Sequence, residues 1–472
     1  MTYRPVPLAV ASSQSDAIAF NSQRLINVYT ETSQYGGKSP FVLLGAPALK
    51  PWGTVGDGPH RGDIVMAEVL YQVSGGSLYR VSNAGAPTLL GSIIDGAGYV
   101  SMATAGTQIA IATSSRNGFI YDSSTGILQQ ITDADFFGGT SVTALDGYFI
   151  WSSGGDTPTR FQISALLNGL SYDALDFASA ESTATELIRV FLVGTQVLMM
   201  KPDRMEVWYD SGNADFPFAR LNSTIIPKGL AAKFSPALLD NTVFWLGIDD
   251  EAGGGPVVYR AVGFQPEVIS THAVAKALAV VTDLDAVRGV SYIANNHAFY
   301  GIILPNGNSW WFDVSTGEWH ERSTYGLPRW LGTTMCAAYG KTLIGSYVDG
   351  AVYEFGLDSD LDAGTLPLVA DFTLPTFGQD PSLKRCARLR LDMETGGATA
   401  TGQGSAPVVT LNISDDRGAT YSSDMTASVG LQGEYGVGVE WRQMGQFRSR
   451  VHRFRLSDPI KRAFMALWAD IV

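Results

Sequence analysis

Apolar and polar residues alternate in short runs along most of this chain, and clusters of Gly, Asn, Asp and Ser separate the runs. Alternation with a period of two sends successive side chains to opposite faces of a strand, so the pattern predicts many short β-strands. One strand type recurs: small or turn residues, then an apolar residue, then an aromatic. It occurs at Gly76-Ser-Leu-Tyr79, Gly118-Phe-Ile-Tyr121, Pro158-Thr-Arg-Phe161, Met205-Glu-Val-Trp208, Pro256-Val-Val-Tyr259, Asn308-Ser-Trp-Trp311 and Gly350-Ala-Val-Tyr353. These aromatic anchors stand 42, 40, 47, 51, 52 and 42 residues apart. Four short strands fit in each interval, the size of one propeller blade. The spacing predicts an all-β chain with a β-propeller over residues 56–358, of seven blades, or six if one unit is an insertion.

The turns agree with that period. Tyr121-Asp-Ser-Ser-Thr-Gly126 and Phe312-Asp-Val-Ser-Thr-Gly317 are near copies, placed where a blade's third strand turns into its fourth. In such a turn Asp and Ser/Thr side chains bond nearby backbone N–H groups and Gly takes positive φ. Asn117-Gly118, Asp146-Gly147, Asn306-Gly307 and Asp349-Gly350 are further turn signals. The last unit ends early, near Asp358, so a strand from elsewhere must complete it. The apolar Phe41-Val-Leu-Leu44, in an N-terminal arm of residues 1–55, is expected to close the ring, since closure hides unpaired edges. Ser270-Thr-His-Ala-Val-Ala-Lys-Ala-Leu278 opens with capping residues and continues with good helix formers, predicting one helix.

Beyond the propeller, residues 359–383 read as a polar, Pro/Gly-punctuated linker, and residues 384–472 as a second, sandwich-like β domain. Its expected strands are Ala387–Asp392, Val408–Ile413, Gly436–Arg442 and Arg448–Leu456. Within the last, Arg448, Arg450 and His452 are placed on one face, with a bulge expected before Phe454.

Composition narrows the function. Hydrophobic residues make up 45% and charged residues 16% of the 472, with 52 glycines, which suits strands and tight turns rather than disorder. Cys336 and Cys386 lack metal-site spacing and form no disulfide framework, which fits assembly in a reducing cytoplasm. Two prolines interrupt the apolar start of the chain, which argues against a signal peptide, and no run of eighteen apolar residues predicts a membrane span. The formal charge is −13, yet residues 384–472 hold twelve Lys/Arg and nine Asp/Glu, a net of +3, leaving −16 on the rest. An acidic body disfavours general DNA binding, since phosphate contact needs Lys/Arg, though DNA could slide past such a wall without adhering.

No catalytic constellation stands out. The histidines at 60, 272, 297, 320 and 452 show no metal-ligand spacing, and no phosphate-cradling Gly-rich loop or nucleophile elbow occurs, so no metal or cofactor is expected. Ser414-Asp-Asp-Arg-Gly-Ala-Thr-Tyr421 fits the Asp-box pattern of sialidase propellers; as physics it is a structural turn, built by Ser414, Asp416, Gly418 and Thr420. Asp358-Ser-Asp-Leu-Asp-Ala-Gly364 resembles the start of a calcium loop, but its Gly stands at the seventh position and Val369 at the twelfth, so a solvated acidic linker is the better reading. Trp310, Trp311 and Trp319 could stack on sugars or bases, although alternating aromatics in a blade are more often core. Arg442, Arg448, Arg450, Arg453 and Arg455 are the best candidates for a contact surface, because Arg matches carboxylates and phosphates bidentately.

Several segments, in consistent order over nearly the whole chain, resemble the packaged-DNA stabilisation proteins (tail accessory factors, or tail nozzle proteins) of short-tailed bacteriophages. They are Gln23–Tyr29, Leu44–Leu49, Glu206–Phe218, Trp245–Gly247, Ile269–Ala273, Gly433–Tyr435, Trp441–Gly445 and Ser457–Pro459. The Leu44-Gly-Ala-Pro stretch departs from the family's Pro-Gly pair. The resemblance implies a non-catalytic virion protein of the tail, a homohexamer beneath the portal and head-to-tail adaptor. It would retain packaged DNA without sequence-specific contacts and conduct it at ejection. Expected partners are further copies of the chain, the adaptor or portal (docked on the arginines above), and tail needle, fibre or spike proteins. The rival readings are a sialidase-like propeller glycosidase and a non-catalytic glycan-binding module.

Overall fold

A computed structural model describes residues 3–471 except 19, 34–38, 94, 156, 250–253 and 379–381. The regular secondary structure of the described residues is strand apart from one α-helix, His272–Ala279, and one short 3-10 turn, Leu284–Ala286. No helix among the described residues is long and apolar enough to cross a membrane.

Antiparallel four-strand meanders follow one another over residues 60–92, 101–130, 142–179, 189–226 and 237–268. A further meander, over 288–322, belongs to a nine-stranded sheet, and the three strands over 332–356 take their fourth from Ala48–Thr54. We number these units blades 1–7. All seven aromatic anchors lie on the third strand of their blade, and all but the half-buried Tyr79 are buried. A neighbouring blade packs against each face of a third strand, so large residues there are buried whichever face they take. Tyr71 of blade 1 meets Tyr121 of blade 2 at 5.6 Å between centroids, and Phe161 of blade 3 meets Trp208 of blade 4 edge-on at 4.9 Å. Trp311 of blade 6 meets Trp330, just ahead of blade 7, at 5.3 Å. Trp310, Trp311 and Trp319 are therefore core, at 8%, 0% and 1% exposure, and form no sugar-stacking platform.

The two copied turns form as their chemistry dictates. Asp122 accepts from the Ser124 amide and Asp313 from the Ser315 amide, at 2.9 and 2.8 Å, while Gly126 and Gly317 hold φ of 72° and 75°. The helix starts where its caps predict: Thr271 is the N-cap, and Val274 and Leu278 bury its apolar face in the core shared by blades 5 and 6.

The ring closes with a different strand from the one expected. Ala48–Thr54 pairs antiparallel with Ala351–Gly356, from Ala48 against Gly356 to Thr54 against Ala351. Phe41–Gly45 instead pairs with Val28–Thr32 and with Ala463–Ile471 in the second domain. Pro51 and Gly53 make the true closing strand read as a turn. It is tolerated because it is the blade's outermost strand, where one row of N–H groups has no ladder partner.

The second domain packs two sheets face to face. One comprises Tyr3–Val6, Val28–Thr32, Phe41–Gly45, Lys384–Met393, Val439–Arg442, Gln446–Phe447 and Ala463–Ile471. The other is the outer part of the nine-stranded sheet: Arg24–Ile26, Ala370–Thr373, Val451–Leu456, Val408–Ser414 and Met425–Ser428. Phe372, Phe454, Phe464, Leu389, Leu411 and Leu467 fill the space between them, all at 0–1% exposure. The N-terminal arm is thus part of the sandwich, and the segment read as a linker is not one. Leu368, Ala370, Phe372 and Leu374 are all fully buried, because their alternation is that of a central strand. The bulge expected before Phe454 is also absent: Val451–Leu456 pairs in unbroken register with both neighbours.

Candidate docking surface and the propeller–sandwich junction

The five candidate arginines do not form one surface. Arg450, immediately before the strand Val451–Leu456, points inward and is 2% exposed. Its guanidinium grips Asp415 bidentately, at 2.6 and 2.8 Å, donates to the Met444 carbonyl at 2.6 Å and lies 4.3 Å from the Phe447 ring centroid. Arg453 and Arg455 point to the other face, where Arg453 pairs with Asp371 and Arg455 with Asp424 at 2.7 Å. The Asp371 contact holds the Arg453 guanidinium above its ordinary pKa. Arg442 is exposed and bonded to Glu440 at 2.8 Å, and Arg448 is exposed as well. Of the five, only Arg442 and Arg448 are exposed.

Arg450 supplies a sharp test of this burial. Asp415→Ala strands a buried guanidinium with one carbonyl partner, and a loss of about 2 kcal/mol in urea unfolding is expected, below the range for fully buried pairs because Asp415 is half exposed. Arg450→Met combined with Asp415→Ala is expected to recover most of that loss. An Asp415→Ala protein as stable as the parent would show that the pair is unimportant.

The Asp-box residues build a self-contained turn. Ser414 Oγ donates to Asp416 at 2.6 Å and accepts from the Gly418 amide at 2.7 Å, while Thr420 donates its amide and hydroxyl to Asp416 at 2.9 and 2.5 Å. Gly418 takes φ of 93°. The Ser414 and Thr420 donors hold the Asp416 carboxyl far below the usual range, and none of its bonds reaches outside the turn.

Chain-distant polar contacts gather instead where propeller meets sandwich. The fourth strand of blade 6, Glu318–Arg322, pairs in parallel with Arg24–Ile26, so one hydrogen-bonded sheet runs through both domains. Glu321, 3% exposed, accepts two bonds from Arg24 at 2.8 and 2.7 Å and further bonds from Ser12 and Asn308. Beside it, Arg322 donates to the Pro47 carbonyl at 2.5 Å and Asp362 accepts from the Leu49 amide at 2.9 Å, both at the ring-closing strand. Arg462 reaches from the sandwich to the Asp360 carboxylate and carbonyl, each at 2.8 Å. Burial pushes the Asp362 carboxyl up, and the Arg322 and Arg462 charges pull it back only in part.

The acidic stretch from Asp358 to Gly364 is therefore a clasp and not a solvated linker. Among the described residues, no group of three or more His, Cys, Asp or Glu could hold a metal ion. Sequence reasoning missed the clasp. Its one local signal was the recurrence of Asp at every second position, Asp358, Asp360 and Asp362.

Two family models account for nearly the whole chain. "Bacteriophage P22 Gp10, beta-propeller" matches residues 4–360, and "Bacteriophage P22 Gp10, beta-sandwich" matches residues 371–472. The chain belongs to the bacteriophage P22 Gp10 family. Gp10-family proteins are structural phage proteins, and the two models meet at the clasp, the propeller model also taking in the N-terminal arm that packs in the sandwich here. No curated protein matches the chain.

Among solved structures, the computationally designed Ika8 protein is 11% identical with a TM-score of 0.41, over 66% of this chain and 100% of that one. BamB from Moraxella catarrhalis is 10% identical with a TM-score of 0.40, over 63% and 94%. The N-terminal domain of Nup159 is 11% identical with a TM-score of 0.42, over 73% and 99%. Likeness at that level says nothing of function.

Proposed function

We propose that this Gp10-family chain is a tail nozzle protein: a homohexamer that extends the portal and adaptor channel, retains the packaged DNA and conducts it at ejection. The observation that carries the reading is the match of both domains, propeller and sandwich, to one phage structural family. The continuous sheet through both domains supports it, since a part that transmits load along a tail must not flex at its middle. Arg442 and Arg448 are the docking residues this reading retains, meeting acidic groups on the adaptor. The net charge of −16 outside residues 384–472 would give passing DNA little to adhere to. Needle, fibre or spike proteins would attach at the far end of the ring.

Electron microscopy of virions carrying this chain tests the assembly, with six copies in a ring at the tail as the expected result. Particles assembled without it are expected to fill and then lose their DNA. Arg442→Glu with Arg448→Glu is expected to weaken binding to purified portal–adaptor complex by about tenfold at low salt, mainly through slower association. A monomeric chain on virions, stable DNA-filled particles in its absence, or turnover of a fluorogenic sialoside by the purified protein would each overturn the reading.

A further inference from the structure

One end of the propeller axis carries an unusual concentration of cations. The innermost strands of the blades begin there, around a cavity of about 600 Å³ whose lining includes Arg61, Tyr99, Lys233, Phe234, Arg329 and Tyr347. Arg288 and Arg189, the first residues of their innermost strands, stand against the same rings. Arg288 lies 4.9 Å from the Tyr99 centroid, Arg189 lies 5.5 Å from that of Phe234, and Tyr99 and Phe234 touch edge-on at 5.4 Å. Five blades thus bring five positive charges and three aromatic faces to one opening.

Each guanidinium is oriented by backbone carbonyls. Arg61 donates to Gly98, Gly75 and Asp95, Arg189 to Lys233, and Arg329 to Leu304 while stacking 4.0 Å from the Tyr347 centroid. Carbonyls fix a guanidinium without neutralising it. Arg189 Nε and Arg329 Nε are buried without a hydrogen-bond partner, and the Lys233 ammonium has only the Phe234 ring beneath it, at 5.6 Å.

The opposing carboxylates are few at depth. Asp63 is buried and 3.7 Å from Arg288, and Asp95 acts on Arg61 while its own oxygens hold Thr113 and Asn117. Asp283, Asp285 and Glu186 are exposed at the rim, where water and salt screen them. Burial, with Arg189 alongside, lowers Lys233 to about 8, and burial with Arg288 lowers Arg189 to about 9. The cations repel one another across the opening, and a bound anion would relieve that repulsion.

We propose that this axial mouth binds a phosphate group, carried by inorganic phosphate or by a small phosphate ester whose ring lies against Tyr99 and Phe234. A tetrahedral dianion accepts bonds from several directions at once, which suits donors converging from separate blades better than a single planar carboxylate does. The cavity is of a size that takes a mononucleotide and not a duplex. The inference stands on the propeller alone and is independent of the tail assignment.

Titration calorimetry of the full chain at constant ionic strength tests it, with sodium phosphate, adenosine monophosphate and sodium acetate as probes. Saturable phosphate binding is expected, weakened about tenfold by Lys233→Met and by Arg329→Met. Lys233 makes no hydrogen bond through its ammonium, so Lys233→Met is expected to melt with the parent and isolates binding from folding. Adenosine monophosphate binding tighter than phosphate would place its ring on the aromatics; equal affinity would place the phosphate alone. No saturable phosphate binding, binding unchanged in both variants, or acetate binding as tightly as phosphate would overturn the proposal.

Discussion

Gly350→Ala is expected to destabilise the propeller by about 3 kcal/mol, because the ring closes there by backbone against backbone. The Val55 amide donates to the Gly350 carbonyl at 2.7 Å, directly beyond the paired strands Ala48–Thr54 and Ala351–Gly356. A β-carbon on Gly350 would lie 1.9 Å from the Gly56 carbonyl oxygen and 2.7 Å from that of Val55. Neither neighbour is a flexible side-chain end, so the closing strand itself must move. That strand belongs to blade 7 and runs on directly into blade 1, so a shift there loosens the ladder with Ala351–Gly356 and the buried Val55 beyond it. Gly255→Ala is the control: it also lies in a blade strand, and an added β-carbon meets nothing within 4 Å. Urea unfolding should separate the two clearly, and protease cutting near residue 55 should speed up only in Gly350→Ala. Equal midpoints for both variants would mean that closure at this seam contributes little.

The second large effect is acid sensitivity set by buried histidines. His320 and His452 are each 2% exposed, and burial, with an arginine nearby in each case, drives both to about 3. Both are neutral in the folded protein at pH 5, whereas in the unfolded chain they take up protons near pH 6.5. The unfolded state therefore binds more protons, and stability falls as pH drops from about 6.5 towards the folded values. At pH 5 each residue should cost about 2 kcal/mol relative to pH 7.5, and the two together about 4 kcal/mol.

His60, also lowered by burial, acts in the same direction. His297 acts in the opposite one. Its bond to Asp313, 2.6 Å long, raises it, so its stabilisation is complete below the unfolded value and is lost as pH rises through the folded one. His452→Gln is expected to remove close to half of the stability change between pH 7.5 and pH 5, measured by urea unfolding at both. An unchanged slope, or an NMR titration of His452 near 6.5 in the folded protein, would contradict this account.

Much of the propeller is legible in the chain because its signals are local. A third-strand aromatic, a turn Asp with its Ser or Thr, and a positive-φ Gly each act within a few residues. They recur with the blade, so Tyr79 to Tyr353 mark all seven third strands. The helix cap at Thr271 is local in the same way. Pairing between distant segments leaves no such mark. Phe41–Gly45 and Ala48–Thr54 are both extended and close in sequence, and only the shape of the open edge on blade 7 selects the second. Arg450 and Arg453 stand three residues apart with the same charge, yet one is buried on Asp415 and the other half-exposed on Asp371.

What the sequence by itself determined, then, is the β class, the blade period, the turns and the family. Tertiary structure decided which strand closes the ring, that the stretch from Asp360 to Leu374 joins the domains and does not merely link them, which arginines stay outside, and that five cations meet at the axis. Each of those depends on partners brought together from far along the chain, whose free energy appears only once the sheets have formed and excluded water between them.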